Sequence, residues 1–189
     1  MARLNIPNKL TLGRLFLCAI FTLLLALETP WSGMASFVVF VLASLTDWLD
    51  GYLARKWNQI TDMGKLLDPL ADKILISAAF IGMAAKDIVP FWIVVFIIAR
   101  EFLITGLRTL AASKGVILAA EKMGKHKTIS QMVTALLALL YLALEGMGWL
   151  PHEAYELKLY LLQPMFYVTL IITLYSGAAY FIKNKKLLF

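Results

Sequence analysis

Six long apolar runs, separated by short polar breaks, set the pattern of this chain. They cover roughly residues 10–27, 34–54, 68–85, 89–112, 129–147 and 158–182. Each is close to the length, about 20 residues, that an α-helix needs to cross the hydrocarbon of a bilayer. Helical periodicity is weak within them, as expected of helices that meet apolar surroundings on nearly every side. Breakers mark the ends instead, and Thr29-Pro30, Val89-Pro90 and Leu150-Pro151 predict turns between spans. Pro164 falls inside the sixth run and predicts a kink. Asn5-Ile6-Pro7-Asn8 reads as a short amphipathic N-terminal segment lying at the interface before the first helix. The expected fold is all-α: a polytopic membrane protein of six transmembrane helices, with residues 1–189 forming one domain.

Composition points the same way. The 189 residues are 61% hydrophobic and 16% charged, with a mean hydropathy of +0.78, whereas soluble domains run about 45–50% apolar and about 25% charged. A secretory leader does not account for the first run, because five more follow and no small-residue cleavage site stands out. Cys18 is the only cysteine, and His126 and His152 are the only histidines. A disulfide framework, a thiolate metal site and a histidine-built metal site are thereby set aside.

Basic residues set the orientation. With six spans both termini share one side, which also receives residues 55–67 and 113–128 and the tail Lys183, Lys185 and Lys186. The opposite side holds Lys86 and Lys158 against Glu28, Asp87, Glu145, Glu153 and Glu156. The positive-inside rule then places both termini in the cytoplasm. Trp31, Trp92 and Trp149 fall near span ends, as interfacial anchors do. The net charge of +6 suits anionic lipid or a phosphorylated substrate as well as ordinary cytoplasmic loops.

The chemistry is concentrated in TDWLDGYLARKWNQITDMGKLLDPLADK, Thr46 to Lys73. Ionisable groups inside spans are costly, about 2.5–3.5 kcal/mol each on insertion scales, and their presence marks function. Asp47 and Asp50 close the second span; Asp68 and Asp72 open the third. At about 100° per residue, Asp47 and Asp50 lie about 60° apart on one helical face, and Asp68 and Asp72 about 40° apart on another. The short stretch 56–67 predicts antiparallel neighbours, so both pairs should converge at the cytoplasmic end of a hairpin. Four converging carboxylates need cations, and oxygen-only ligands select hard divalent ions such as Mg2+, Mn2+ or Ca2+. Two such ions would suit the charge and would clamp the oxygens of a phosphoryl displacement. Gly51, Ala54 and Gly64 leave backbone open where a nucleotide could approach. Blander readings exist: Asp68-Pro69 also resembles a helix N-cap followed by proline at the first helical position, Gly51 and Ala54 also suit close helix packing, and Arg55 also suits a cytoplasmic flank.

The spacing Asp47-x2-Asp50-Gly51-x2-Ala54-Arg55-x8-Gly64-x3-Asp68-x3-Asp72 resembles, at every fixed position, the signature of the CDP-alcohol phosphatidyltransferases. The resemblance covers essentially the whole chain and implies a six-helix membrane enzyme, working as a homodimer, with a dinuclear divalent-metal centre. It implies that Asp47, Asp50 and Asp68 are the main ligands of two Mg2+ (or Mn2+) ions. Asp72 would be the general base, with a possible metal contact of its own. Gly51, Ala54, Arg55 and Gly64, with Asn8 and Thr11 of the first helix, match the positions that hold the CDP-lipid. The donor would be CDP-diacylglycerol, drawn from the lipid bilayer. The runs NIPNKLTLGRL, DGYLARKWNQ and Ile98 to Lys127 further resemble the bacterial branch whose acceptor is glycerol 3-phosphate, which implies an inner-membrane location. Arg100, Arg108, Lys125 and Lys127 are the candidates for the acceptor phosphate, although Arg100 also suits a pair with Glu101 and the lysines also suit ordinary positive-inside residues. Other acceptors (inositol phosphate, serine, phosphatidylglycerol) stay open within the family. Outside it, an intramembrane prenyltransferase would have its two acidic motifs farther apart, and a divalent-cation transporter would carry its carboxylates nearer the bilayer midplane.

Overall fold

The computed structural model describes the backbone of residues 6–56, 62–116, 122–151 and 154–184, and side chains within 12–47, 70–116, 124–151 and 156–184. The described chain is all-helical: α1 (Ile6–Ala26), α2 (Ser32–Lys56), α3 (Asp62–Ala85), α4 (Phe91–Ser113), α5 (Lys122–Gly146), the four-residue α6 (Ala154–Leu157), a π-helical turn (Lys158–Leu162) and α7 (Gln163–Asn184). The six expected spans correspond to α1 to α5 and to the run from α6 through α7. The turns fall where the prolines put them. Pro90 stands at the N-cap of α4, Asp87 turns the chain with a φ of 54° and Gly148 with 68°, and Ser32 Oγ donates to the carbonyls of Leu27 and Thr29 at 2.8 Å each, tying off the turn before α2.

Three boundaries differ from the expectation. Ile6, Pro7 and Asn8 continue α1 without a break, and the residues before them lie outside the described part. α3 begins at Asp62, so Asp68 and Pro69 sit inside the helix and Asp68 is not its N-cap. α5 begins at Lys122, so Lys125 and Lys127 stand on its first turns and not in a loop. Gly124 costs a helix only about 1 kcal/mol, too little to stop α5 starting ahead of it. The predicted kink at Pro164 takes a specific form. Proline has no N–H, and its ring clashes with the carbonyl four residues back. The helix widens just before it, where Gln163 N–H donates to the carbonyl of Lys158.

Polarity is distributed inside out. Arg14, Lys127, Gln131, Thr134, Thr169, Thr173 and Ser176 are buried, while Phe16, Leu23, Leu103, Ile171 and Ile182 are 64–72% exposed. Water would penalise that surface; hydrocarbon would not. Hydroxyls along the helices bond the carbonyl one turn back, as in Thr22 to Cys18, Ser36 to Ser32, Ser44 to Phe40 and Thr105 to Glu101, so these hydroxyls are satisfied without water. Among the described residues, Gly124–Gly146 and Lys158–Asn184 are long and apolar enough to span a membrane. The chain is a polytopic membrane protein.

Two compact units make up the chain, one of Met1–Gly82 with Leu136–Glu153 and one of Met83–Ala135 with Ala154–Phe189. In the first, α1 packs on α2, with the Phe21 and Phe40 rings 5.5 Å apart. Small residues bring its helices close: a Cβ on Gly33 would lie 2.6 Å from the Leu142 carbonyl oxygen, one on Gly146 2.8 Å from that of Pro30, and one on Gly82 would run into Leu25. In the second, α4 packs on α7, with Trp92 against Tyr167 at 6.0 Å and Ile104, Leu107 and Tyr180 clustered.

Gly33→Ala and Gly146→Ala are each expected to destabilise the protein by about 1–3 kcal/mol, because backbone rather than a movable side chain stands in the way. Gly106→Ala, where a Cβ meets nothing within 4 Å, should be neutral or slightly stabilising. Thermal unfolding in detergent micelles reads all three.

Candidate functional site

Helical register places the acidic pairs as the spacing predicts. Asp47 and Asp50 lie on α2 and Asp68 and Asp72 on α3, each pair sharing one face of its helix. The side chains of Asp50 and Asp68 lie outside the described ones, as do those of Asn8, Thr11, Gly51, Ala54, Arg55 and Gly64. Asp72 is half-buried. Asp47 is 47% exposed and accepts an ion pair from Arg14 NH1, whose side chain is fully buried. Arg14 reaches it from α1, so the first helix fixes the carboxylate carried by the second. Among the described residues no three potential metal-ligating side chains gather. The chemistry of these residues nonetheless fits a hard divalent cation: they are carboxylates, and Asp47 is half open while paired with a buried arginine.

The second unit carries a different polar group. Glu101 lies on α4 with 11% of its side chain exposed, and Lys127 of α5 pairs with its Oε1. Arg100 NH1 approaches the same oxygen at 3.4 Å, and Gln131 Nε2 donates to it, also at 3.4 Å. Arg100 is held from α7 as well, donating from NH2 to Ser176 Oγ at 2.9 Å. A Cβ on Gly177 would come within 2.8 Å of its Cγ, so the small residue makes room for the arginine. Arg108, two turns on, donates from Nε to Tyr180 Oη at 3.1 Å and stacks 5.1 Å over that ring, a cation–π contact. Lys125 is exposed. The structure therefore brings Arg100 and Lys127 together and sets Arg108 along α7; Lys125 does not join them.

Arg14 has no site role in the sequence reading, although it carries the signal that finds such groups, a charge inside an apolar span. Glu101 is read there as a partner for Arg100, and that pair is present at 3.4 Å. What sequence does not supply is Lys127 on the same oxygen.

Comparison with known proteins adds an independent line. The family model described as CDP-alcohol phosphatidyltransferase matches residues 4–177. A Bacillus subtilis (strain 168) protein named CDP-diacylglycerol–glycerol-3-phosphate 3-phosphatidyltransferase is 40% identical over 95% of this chain and 95% of its own. Proteins of the same name from Escherichia coli (strain K12) and Shigella flexneri serotype 5b are each 37% identical over 93% of this chain and 92% of theirs.

Asp47→Asn is expected to lower thermal stability, since it withdraws a counter-charge from buried Arg14. The loss should fall between the about 0–1 kcal/mol of an exposed pair and the 3–5 kcal/mol of a broken buried one. Arg14→Met removes the buried charge itself and should cost less. Unfolding midpoints in detergent compare the two, and the reverse order would contradict this account of the pair.

Proposed function

The chain belongs to the CDP-alcohol phosphatidyltransferase family, and on that premise we propose that it transfers the phosphatidyl group of CDP-diacylglycerol to sn-glycerol 3-phosphate, giving phosphatidylglycerophosphate and CMP. The observation that carries the reading is the match to relatives bearing that name along more than nine-tenths of both chains. Two cationic side chains from different helices, Arg100 and Lys127, come together at Glu101, which supports an acceptor that is itself an anion.

In this reading Asp47, Asp50 and Asp68 hold two divalent cations, Mg2+ or Mn2+, with Asp72 beside them. When bound, the ions neutralise charge on the donor pyrophosphate. Asp72 takes the proton from the acceptor hydroxyl. The freed oxygen forms a bond to the β-phosphorus as the anhydride bond to the cytidylate breaks, and CMP leaves. Asn8, Thr11, Gly51, Ala54, Arg55 and Gly64 bind the cytidine diphosphate. Arg100, Arg108 and Lys127 receive the acceptor phosphate, and exposed Lys125 adds positive charge on the same helix as Lys127. The enzyme works as a homodimer in the bacterial inner membrane, with both termini and the reacting groups on the cytoplasmic side.

Purified protein offered CDP-diacylglycerol with glycerol 3-phosphate, inositol phosphate, serine or phosphatidylglycerol should prefer the first; preference for another overturns the acceptor. Asp72→Asn should abolish CMP release while keeping nucleotide affinity near wild type, whereas Asp68→Asn should lose metal and nucleotide affinity together. Equal loss in both variants, measured by calorimetry with CDP and Mg2+, would refute that division of labour.

A further inference from the structure

We infer that Tyr180 is a positioning residue for the acceptor: it holds the Arg108 guanidinium at Nε and so presents the opposite, two-nitrogen edge to a phosphate monoester. The inference rests on the proposed glycerol 3-phosphate acceptor, with Arg108 among its contacts, and names a residue to which that proposal gives no part.

Its basis is the way α7 grips an arginine of α4. Arg108 Nε donates to Tyr180 Oη at 3.1 Å, and Arg108 Cζ lies over the same ring, 5.1 Å from its centroid. The two contacts together set the direction of the guanidinium. Tyr180 can impose that direction because it is itself fixed. It is buried with Ile104 and Leu107 of α4, and Asn184 Nδ2 ties its carbonyl at 2.8 Å. Arg108 is exposed, where a long side chain left to itself samples many rotamers. Ordering it before the ligand arrives removes that cost from binding.

The chemistry of the contact suits that task. A guanidinium binds phosphate through two N–H groups side by side. With Nε given to Tyr180, the NH1–NH2 edge on the far side is the one that can do so, and phenol and oxyanion do not compete. The holder is also neutral. A carboxylate in its place would offset the charge of Arg108 and repel a phosphate, whereas a hydroxyl sets direction and subtracts nothing. α7 holds Arg100 in the same manner, with Ser176 Oγ accepting from its NH2 at 2.9 Å one turn before Tyr180. Position agrees. Glu101 and Arg108 are seven residues apart and so about 20° apart around α4, which puts Arg108 on the face that meets Lys127 and Gln131 of α5. Leu103, 72% exposed, lies about 140° away from it, so the arginine does not belong to the apolar outer side of the helix.

Steady-state kinetics of the full-length enzyme in mixed micelles tests this with Tyr180→Phe, Arg108→Lys, Arg108→Met and the Tyr180→Phe/Arg108→Met double variant. Tyr180→Phe removes one oxygen and keeps the ring. It should raise KM for glycerol 3-phosphate about five- to tenfold, with kcat nearly unchanged and KM for CDP-diacylglycerol unmoved. In the Arg108→Met background the same change should add less than about twofold, because the hydroxyl then has no Nε to hold. Arg108→Lys keeps the charge and loses the held fork, so its acceptor KM should lie near that of Arg108→Met and not near wild type. Being a change at an exposed position, it decides the matter should Tyr180→Phe fail to accumulate. An acceptor KM unmoved by Tyr180→Phe, a parallel rise in both KM values, full additivity, or a wild-type acceptor KM in Arg108→Lys overturns the inference and leaves the proposed acceptor standing. Wild-type indifference to glycerol 3-phosphate overturns both.

Discussion

A charge carried on a helix that faces hydrocarbon has to find its partner within the protein, because no solvent nearby will supply one. Much that distinguishes this chain from a plain bundle of apolar helices stems from that requirement. Arg14 is buried on α1 and meets Asp47 of α2. Glu101 on α4 meets Lys127 of α5 and its own neighbour Arg100. Each contact ties together helices that apolar packing alone would leave free to slide, since lipid tails compete for apolar side chains almost as well as protein does. In this chain the polar residues specify which helix lies against which, and at what height.

Small residues and hydroxyls complete that logic. Gly33, Gly146 and Gly82 let backbone or side chain of a neighbouring helix approach closely, which recovers dispersion energy that larger residues could not. The Ser130, Thr134 and Thr169 hydroxyls form a short ladder between α5 and α7, with contacts of 2.7 and 2.9 Å. Such bonds are individually modest, about 0.6 kcal/mol on average in a membrane protein, yet they fix rotation about the helix axis. Rotation matters here because the functional side chains leave their helices in definite directions.

The spans were legible in sequence because length and proline breaks are local properties. The breaks at Thr29-Pro30, Val89-Pro90 and Leu150-Pro151 needed no knowledge of neighbours. Helix starts were harder. Asp62 to Leu67 and Lys122 to Thr128 are polar enough to read as loop, yet they continue α3 and α5, since a helix projecting past the hydrocarbon can be polar all round. The acidic signature was legible as a family mark because carboxylates at helical spacing are costly in apolar spans, and the family match runs across all four of them. The full setting of Glu101 was not, since one glutamate beside one arginine looks like a local pair until α5 delivers Lys127 to the same oxygen. Sequence exposes the charge; only the fold exposes its company.

The π-helical turn before Pro164 has a consequence for the last helix. A widened turn accommodates one residue more than an α-helical turn does. Residues beyond the turn are therefore out of phase with those ahead of it by about 100°. The stripe that carries Thr169, Thr173, Ser176 and Tyr180 takes its azimuth from that offset, not from the start of the span at Lys158. The proline thus works as an indexing device: it sets which side of the closing helix looks inward, whatever the register in which the chain enters the helix.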